Sequence, residues 1–152
     1  MLHNFSAAGK KLRLWQRRGE TYEHVLMKAL GYAMFAPTYP TLEVETRVGL
    51  RYKPDLVARD DEGGFLFWGE CGLNTIRKTA WLLKHSGTGK LVLFKIGFRV
   101  EPLIEQLRRE IPEKYRLSGR LSLINFADNI VKLTGSKQIE KVPAEWFEKF
   151  EI

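Results

Sequence analysis

A chain of 152 residues, 44% apolar and 28% charged, is long enough to bury its own core and too apolar to be disordered. One cysteine excludes an intramolecular disulfide, and no stretch approaches the roughly eighteen apolar residues of a membrane span. The balance of 25 Lys plus Arg against 18 Asp plus Glu gives +7, which suits a polyanionic partner without identifying one. The N-terminal residues lack a continuous apolar signal segment, so the expectation is a soluble cytoplasmic protein with one domain over residues 1–152.

The first dense feature is a basic stretch, Lys10, Lys11, Arg13, Arg17 and Arg18, broken by Leu12, Leu14 and Trp15. The Leu12, Leu14 alternation predicts an edge strand with its cations on the wet side. Tyr22, Val25, Leu26, Ala29, Leu30 and Ala33 recur at three- and four-residue steps and predict a helix that fades near Pro37. Leu42 to Val48 alternates as a half-buried strand, and Tyr52 to Arg59 follows as a second. Asp60-Asp61-Glu62-Gly63-Gly64 is the strongest turn signal, so Phe65 to Cys71 folds back as the third strand of a hairpin.

Asn74 or Thr75 can cap the next helix, running to about His85 with Ile76, Ala80, Leu83 and Trp81 facing inward. Lys90 to Ile96 carries the apolar run of a central strand. Glu101 to Arg109 reads as a helix, Leu121 to Phe126 as a strand, and Trp146 to Phe150 as a final turn. The order predicts an α/β fold with an αβββαβ core, a mixed sheet flanked by helices.

Two of these strands each deliver a carboxylate. With the hairpin centred on Asp61 to Gly64, opposed residues sum to about 125, which places Asp55 opposite Glu70. Like charges facing each other destabilise a sheet unless something compensates them. A hard cation, Mg²⁺ or Mn²⁺, would do so. So would Arg77 or Lys78, with no metal involved. The remaining candidates carry less chemistry: Cys71 alternates to the packed face, and His3, His24 and His85 lie on separate elements with no zinc-ligand spacing. Trp15, Trp68 and Trp81 are expected mainly to pack, and Gly87-Thr88-Gly89-Lys90 precedes a strand, which rules out a phosphate loop.

Pro54-Asp55, followed fifteen residues later by Glu70, resembles the PD-(D/E)xK signature of restriction-endonuclease-like nucleases. The match is closer to the YaeQ family, through Arg18-Gly19-Glu20-Thr21-Tyr22-Glu23, Pro54-Asp55-Leu56, Trp68-Gly69-Glu70-Cys71-Gly72 and Ile76-Arg77-Lys78. It spans about Lys11 to Gly97. Gly72 stands where the parent signature has its lysine, and the resemblance implies a lysine migrated to the next helix, Lys78. It also implies an acid on the first helix, Glu23, with Glu20 as the alternate. The connection before Lys78 is shorter than the family pattern by about one helical turn, which allows Lys78 to rotate away from the carboxylates.

On this resemblance Asp55 and Glu70 would bind Mg²⁺ or Mn²⁺, Lys78 would assist the nucleophile, and Glu23 would position water. Backbone phosphates of DNA would then be met by Lys10, Lys11, Arg13, Arg17, Arg18, Arg47, Arg51 and Lys53. A homodimer is compatible with such a fold. The competing expectation is a catalytically inactive nucleic-acid-binding or protein-interaction module of the same fold, and catalysis stays open.

Overall fold

The computed structural model describes residues 1–152. Its strands are β1 (Leu2–Ala7), β2 (Lys10–Trp15), β3 (Glu43–Val44), β4 (Leu56–Arg59), β5 (Phe65–Cys71), β6 (Leu91–Ile96), β7 (Leu121–Phe126), β8 (Gln138–Ile139) and β9 (Phe147–Glu151). Its α-helices are α1 (Tyr22–Phe35), α2 (Ile76–His85), α3 (Val100–Glu110) and the single turn α4 (Ile130–Leu133). The elements from α1 to β6 follow the predicted order, and the fold is α/β with mixed strands flanked by helices.

Six strands form the main sheet in the order β3-β4-β5-β6-β7-β9. The β5–β6 and β6–β7 pairs are parallel, and the others are antiparallel. Side chains alternate between two cores, as the pleat requires. Leu56, Phe67, Cys71, Val92 and Phe94 face α1, whereas Val57, Trp68, Leu91 and Leu93 face the side of α2 and α3. Burial on both faces accounts for the continuous apolar run of β6.

A second sheet, β2-β1-β8, was not foreseen apart from the β2 strand. β1 and β2 form a hairpin through Ala8 and Gly9, both in the left-handed region (φ 49° and 74°). Its inward residues Phe5, Ala7 and Leu14 cover the other side of α1. That helix is therefore packed between two sheets, and Met27, Lys28, Gly31 and Tyr32 are buried along with the predicted stripe. Gly31 permits the close approach: a Cβ there would stand 2.6 Å from Leu56 Cδ1.

Three predicted boundaries change. The strand expected over Leu42 to Val48 holds only at Glu43–Val44, because Glu45 turns left-handed (φ 56°). The strand expected from Tyr52 begins at Leu56, although Asp55 N–H still donates to Gly69 O at 3.1 Å. The expected final turn is a 3₁₀ turn at Ala144–Trp146 followed by β9, which pairs with β7. No helix is long and apolar enough to cross a membrane.

Candidate functional site

The β4–β5 ladder runs Leu56 with Gly69, Val57 with Trp68 and Ala58 with Phe67, each pair summing to 125. A bulge at Ala58/Arg59 shifts the pairing toward the turn, where Arg59 meets Phe65. Extending the ladder by one residue sets Asp55 opposite Glu70. Asp55 is fixed by its own strand ends: its C=O accepts from Glu45 N–H at 2.9 Å, and its Oδ2 accepts from Cys71 N–H at 2.8 Å.

Glu70 is 2% exposed, and its Oε1 accepts from Trp68 Nε1 at 3.2 Å. Lys78 Nζ stands 3.0 Å from the same oxygen. Thr75 begins α2 as an N-cap, its Oγ1 accepting from Lys78 N–H at 3.0 Å, which seats Lys78 in the first turn beside the end of β5. The short connection thus leaves Lys78 at Glu70, where the sequence allowed it to rotate away. The ammonium also lies 5.1 Å from the Tyr52 ring centroid, and Tyr52 packs edge-on against Trp81.

A second set of charges enters from the N-terminus of α1. His24 lies between two carboxylates, Nδ1 3.3 Å from Glu20 Oε2 and Nε2 3.4 Å from Asp55 Oδ1. The second contact is within ion-pairing range but is not aligned as a hydrogen bond. Lys28, 2% exposed, donates to Glu20 Oε2 at 2.6 Å and also to Glu45. An ammonium at that depth requires such partners.

These contacts divide the proton affinities. Burial and the neighbouring Asp55 charge push the Glu70 carboxyl up to about 7, against the opposing pull of Lys78 and the Trp68 N–H. Burial also works to raise Asp55, but His24, the Cys71 N–H and Lys28 outweigh it and hold this carboxyl below its ordinary value. Lys28 is lowered by burial and raised more strongly by Glu20 and Glu45, so the ammonium is held above its usual value.

The structure brings Asp55, Glu70 and Lys78 together. Glu23 is exposed and lines a separate pocket with Met27, Gly72 and Leu73. The alternate, Glu20, is the acid that reaches Asp55, through His24. Arg77 is exposed, and the edge ion pair considered for it falls to Lys78. Lys10, Lys11, Arg13, Arg17 and Arg18 are all exposed along β2 and the turn after it. Arg47, Arg51 and Lys53 line a pocket of about 240 Å³ on the β3–β4 loop, and Arg51 approaches Tyr52 from this side at 5.7 Å.

Sequence reading missed His24 and Lys28 as members of this cluster. The one signal for Lys28 was a lysine set between Met27 and Ala29 inside an apolar helix.

Asp55 and Glu70 are the two carboxylates that could hold a divalent ion. No group of three or more His, Cys, Asp or Glu side chains is placed to hold an ion. Asp55 and Glu70 supply carboxylates, but Glu70 already faces the Lys78 ammonium and Asp55 the His24 imidazole.

Neither a protein-family model nor a curated protein matches the chain. Its fold is similar to those of several solved structures, among them two YaeQ proteins. The YaeQ protein from Xanthomonas axonopodis pv. citri is 19% identical, with a TM-score of 0.67 over 89% of this chain and 78% of that one. The YaeQ protein from Pseudomonas syringae is 14% identical, with a TM-score of 0.63 over 92% and 81%. At these identities the likeness establishes a shared fold and nothing further.

Proposed function

We propose that this chain is a non-catalytic, nucleic-acid-binding relative of the restriction-endonuclease-like nucleases. On this reading Asp55, Glu70 and Lys78 correspond to a nuclease centre, and Lys28 and Lys78 offset part of the carboxylate charge around it. One observation carries this reading: Glu20, Glu45, Asp55 and Glu70 each have a Lys or His nitrogen of the chain within 3.4 Å. A cluster that is internally compensated gains less from a divalent ion than two bare opposed carboxylates would. The αβββαβ order supports the kinship, and the +7 balance with its exposed basic stretch supports a polyanionic partner.

A second reading is favoured by the Lys78–Glu70 contact. In it the chain is a Mg²⁺- or Mn²⁺-dependent nuclease, with Asp55 and Glu70 as ligands and Lys78 as the assisting amine. The two readings separate in one experiment. Binding and cleavage of labelled DNA are followed in EDTA and in Mn²⁺, with wild type and the Asp55→Asn, Glu70→Gln double variant. The non-catalytic reading predicts binding in EDTA, equal in both proteins, with no cleavage. Cleavage in Mn²⁺ that the double variant abolishes would replace it with the second reading.

A further inference from the structure

β2 is an edge strand, and alternation gives it one buried row and one outward row. Leu14 is buried, while Lys11, Arg13 and Trp15 are exposed. Trp15 is 58% exposed, against the expectation that it packs, because the inward places of the hairpin are already filled by Phe5, Ala7 and Leu14. Asn4 and Ser6 of β1 stand directly opposite Arg13 and Lys11, and Gln138 of β8 stands beside Ser6. The solvent side of the small sheet is thus a polar platform whose back rests on α1.

This platform is concave and positive. Asn4, Ser6, Lys11, Arg13, Lys137 and Gln138 line a hollow of about 430 Å³. Lys137 is held at its rim in a left-handed conformation (φ 60°), with Nζ 3.0 Å from His3 Nδ1 and 5.8 Å from the ring centroids of Phe5 and Tyr22. Its ammonium therefore sits toward the inward face of β1, beside His3, Phe5 and Tyr22. The Glu140 carboxylate at the hairpin end accepts from Ser6 Oγ and from Gly9 N–H, the latter at 2.6 Å.

We propose that the outer face of the β2-β1-β8 sheet binds single-stranded nucleic acid, Trp15 stacking on a base while Lys11 and Arg13 meet backbone phosphates. This rests on the nucleic-acid-binding reading above and adds the surface and the strandedness. An exposed indole offers a stacking plane to a splayed base and little to a base already stacked in a duplex. Cations at every second residue of β2, about 6.8 Å apart, follow an extended backbone. The amide side chains of Asn4 and Gln138 beside them can bond sugars and phosphates without reading sequence. β2 then leads through Arg17 and Arg18 into Glu20, so a strand on this face is directed toward the Asp55 cluster.

The test is fluorescence anisotropy with labelled oligothymidylate and oligouridylate of about 20 nucleotides, and with a duplex of equal length. Wild type is expected to prefer the single strands. Trp15→Ala should weaken that binding about tenfold or more, and Trp15→Phe should restore most of it. The Lys11→Gln, Arg13→Gln pair should lower the salt slope by roughly 1.4, two contacts at about 0.7 each. The control pair Arg99→Gln, Arg109→Gln removes the same charge from the α3 region and should leave binding near wild type. If both pairs weaken binding equally and Trp15→Ala has no effect, the face is wrong while nucleic-acid binding stands. If wild type binds neither single strands nor duplex, the nucleic-acid reading itself falls, and this inference with it.

Discussion

Lys78 and Glu70 meet where the first turn of α2 passes the end of β5, with Nζ 3.0 Å from Oε1. The lysine keeps partial access to water while the carboxylate is buried, so the contact is strong only when Glu70 is ionised. Glu70 also faces Asp55 across the ladder, and both effects bear on its proton.

A pH dependence follows. Glu70 binds its proton more tightly in the folded chain, near 7, than in the unfolded one, near 4.5. Its contribution to stability is therefore complete below the unfolded value and is lost as pH rises through the folded one. Glu70→Gln should remove this decline, making the variant more stable than wild type at pH about 8 by on the order of 1–3 kcal/mol, and less advantaged at pH about 5. Urea denaturation at the two pH values checks it. Parallel curves would remove Glu70 as the cause.

Lys78→Met takes away the compensation and should cost roughly 1–2 kcal/mol at pH about 8, after discounting for its exposure, and less at pH about 5. Because the cost arises at Glu70, it should largely vanish in the Glu70→Gln background. An additive double variant would show that the two side chains are not coupled.

Lys28 is buried, and Lys28→Met removes the ammonium shared by Glu20 and Glu45. The expected loss is roughly 3 kcal/mol. Replacing all three, Lys28→Met with Glu20→Gln and Glu45→Gln, should recover most of it. Thermal unfolding distinguishes these variants, and a neutral Lys28→Met would contradict the network.

The hairpin register was legible because Asp60 to Gly64 fixes its turn, and the bulge at Ala58/Arg59 restores the index sum at the carboxylates. The helices α2 and α3 were legible from their periodicity. The small sheet was not, since Ala8 is a poor sequence signal for a left-handed hairpin turn and β8 has only two residues. That missing sheet also explains why the sequence did not separate Glu20 from Glu23. A helix covered on both sides has no single inward stripe to orient its acids, and Glu20 precedes the helix altogether. Sequence spacing likewise gave no means of seeing His24 between Glu20 and Asp55, contacts made by folding α1 over the sheet.

Gly31 is expected to resist even alanine. The added Cβ would meet Leu56 Cδ1 at 2.6 Å and Phe94 Cζ at 3.0 Å, both on fully buried side chains. Overpacking of this kind costs about 1–3 kcal/mol, which exceeds the gain of about 1 kcal/mol in helix propensity. Chemical denaturation of Gly31→Ala reads the balance, and a stabilised variant would contradict the close approach.

The compensated cluster is the centre of this account, and Mn²⁺ calorimetry on the metal-free protein tests it most directly. The account predicts no saturable binding in wild type at millimolar Mn²⁺, and the same flat titration for the folded Asp55→Asn, Glu70→Gln variant. Saturable binding to wild type that the double variant abolishes would contradict it, because Mn²⁺ would then displace the contacts of His24 and Lys78 and hold the two carboxylates itself.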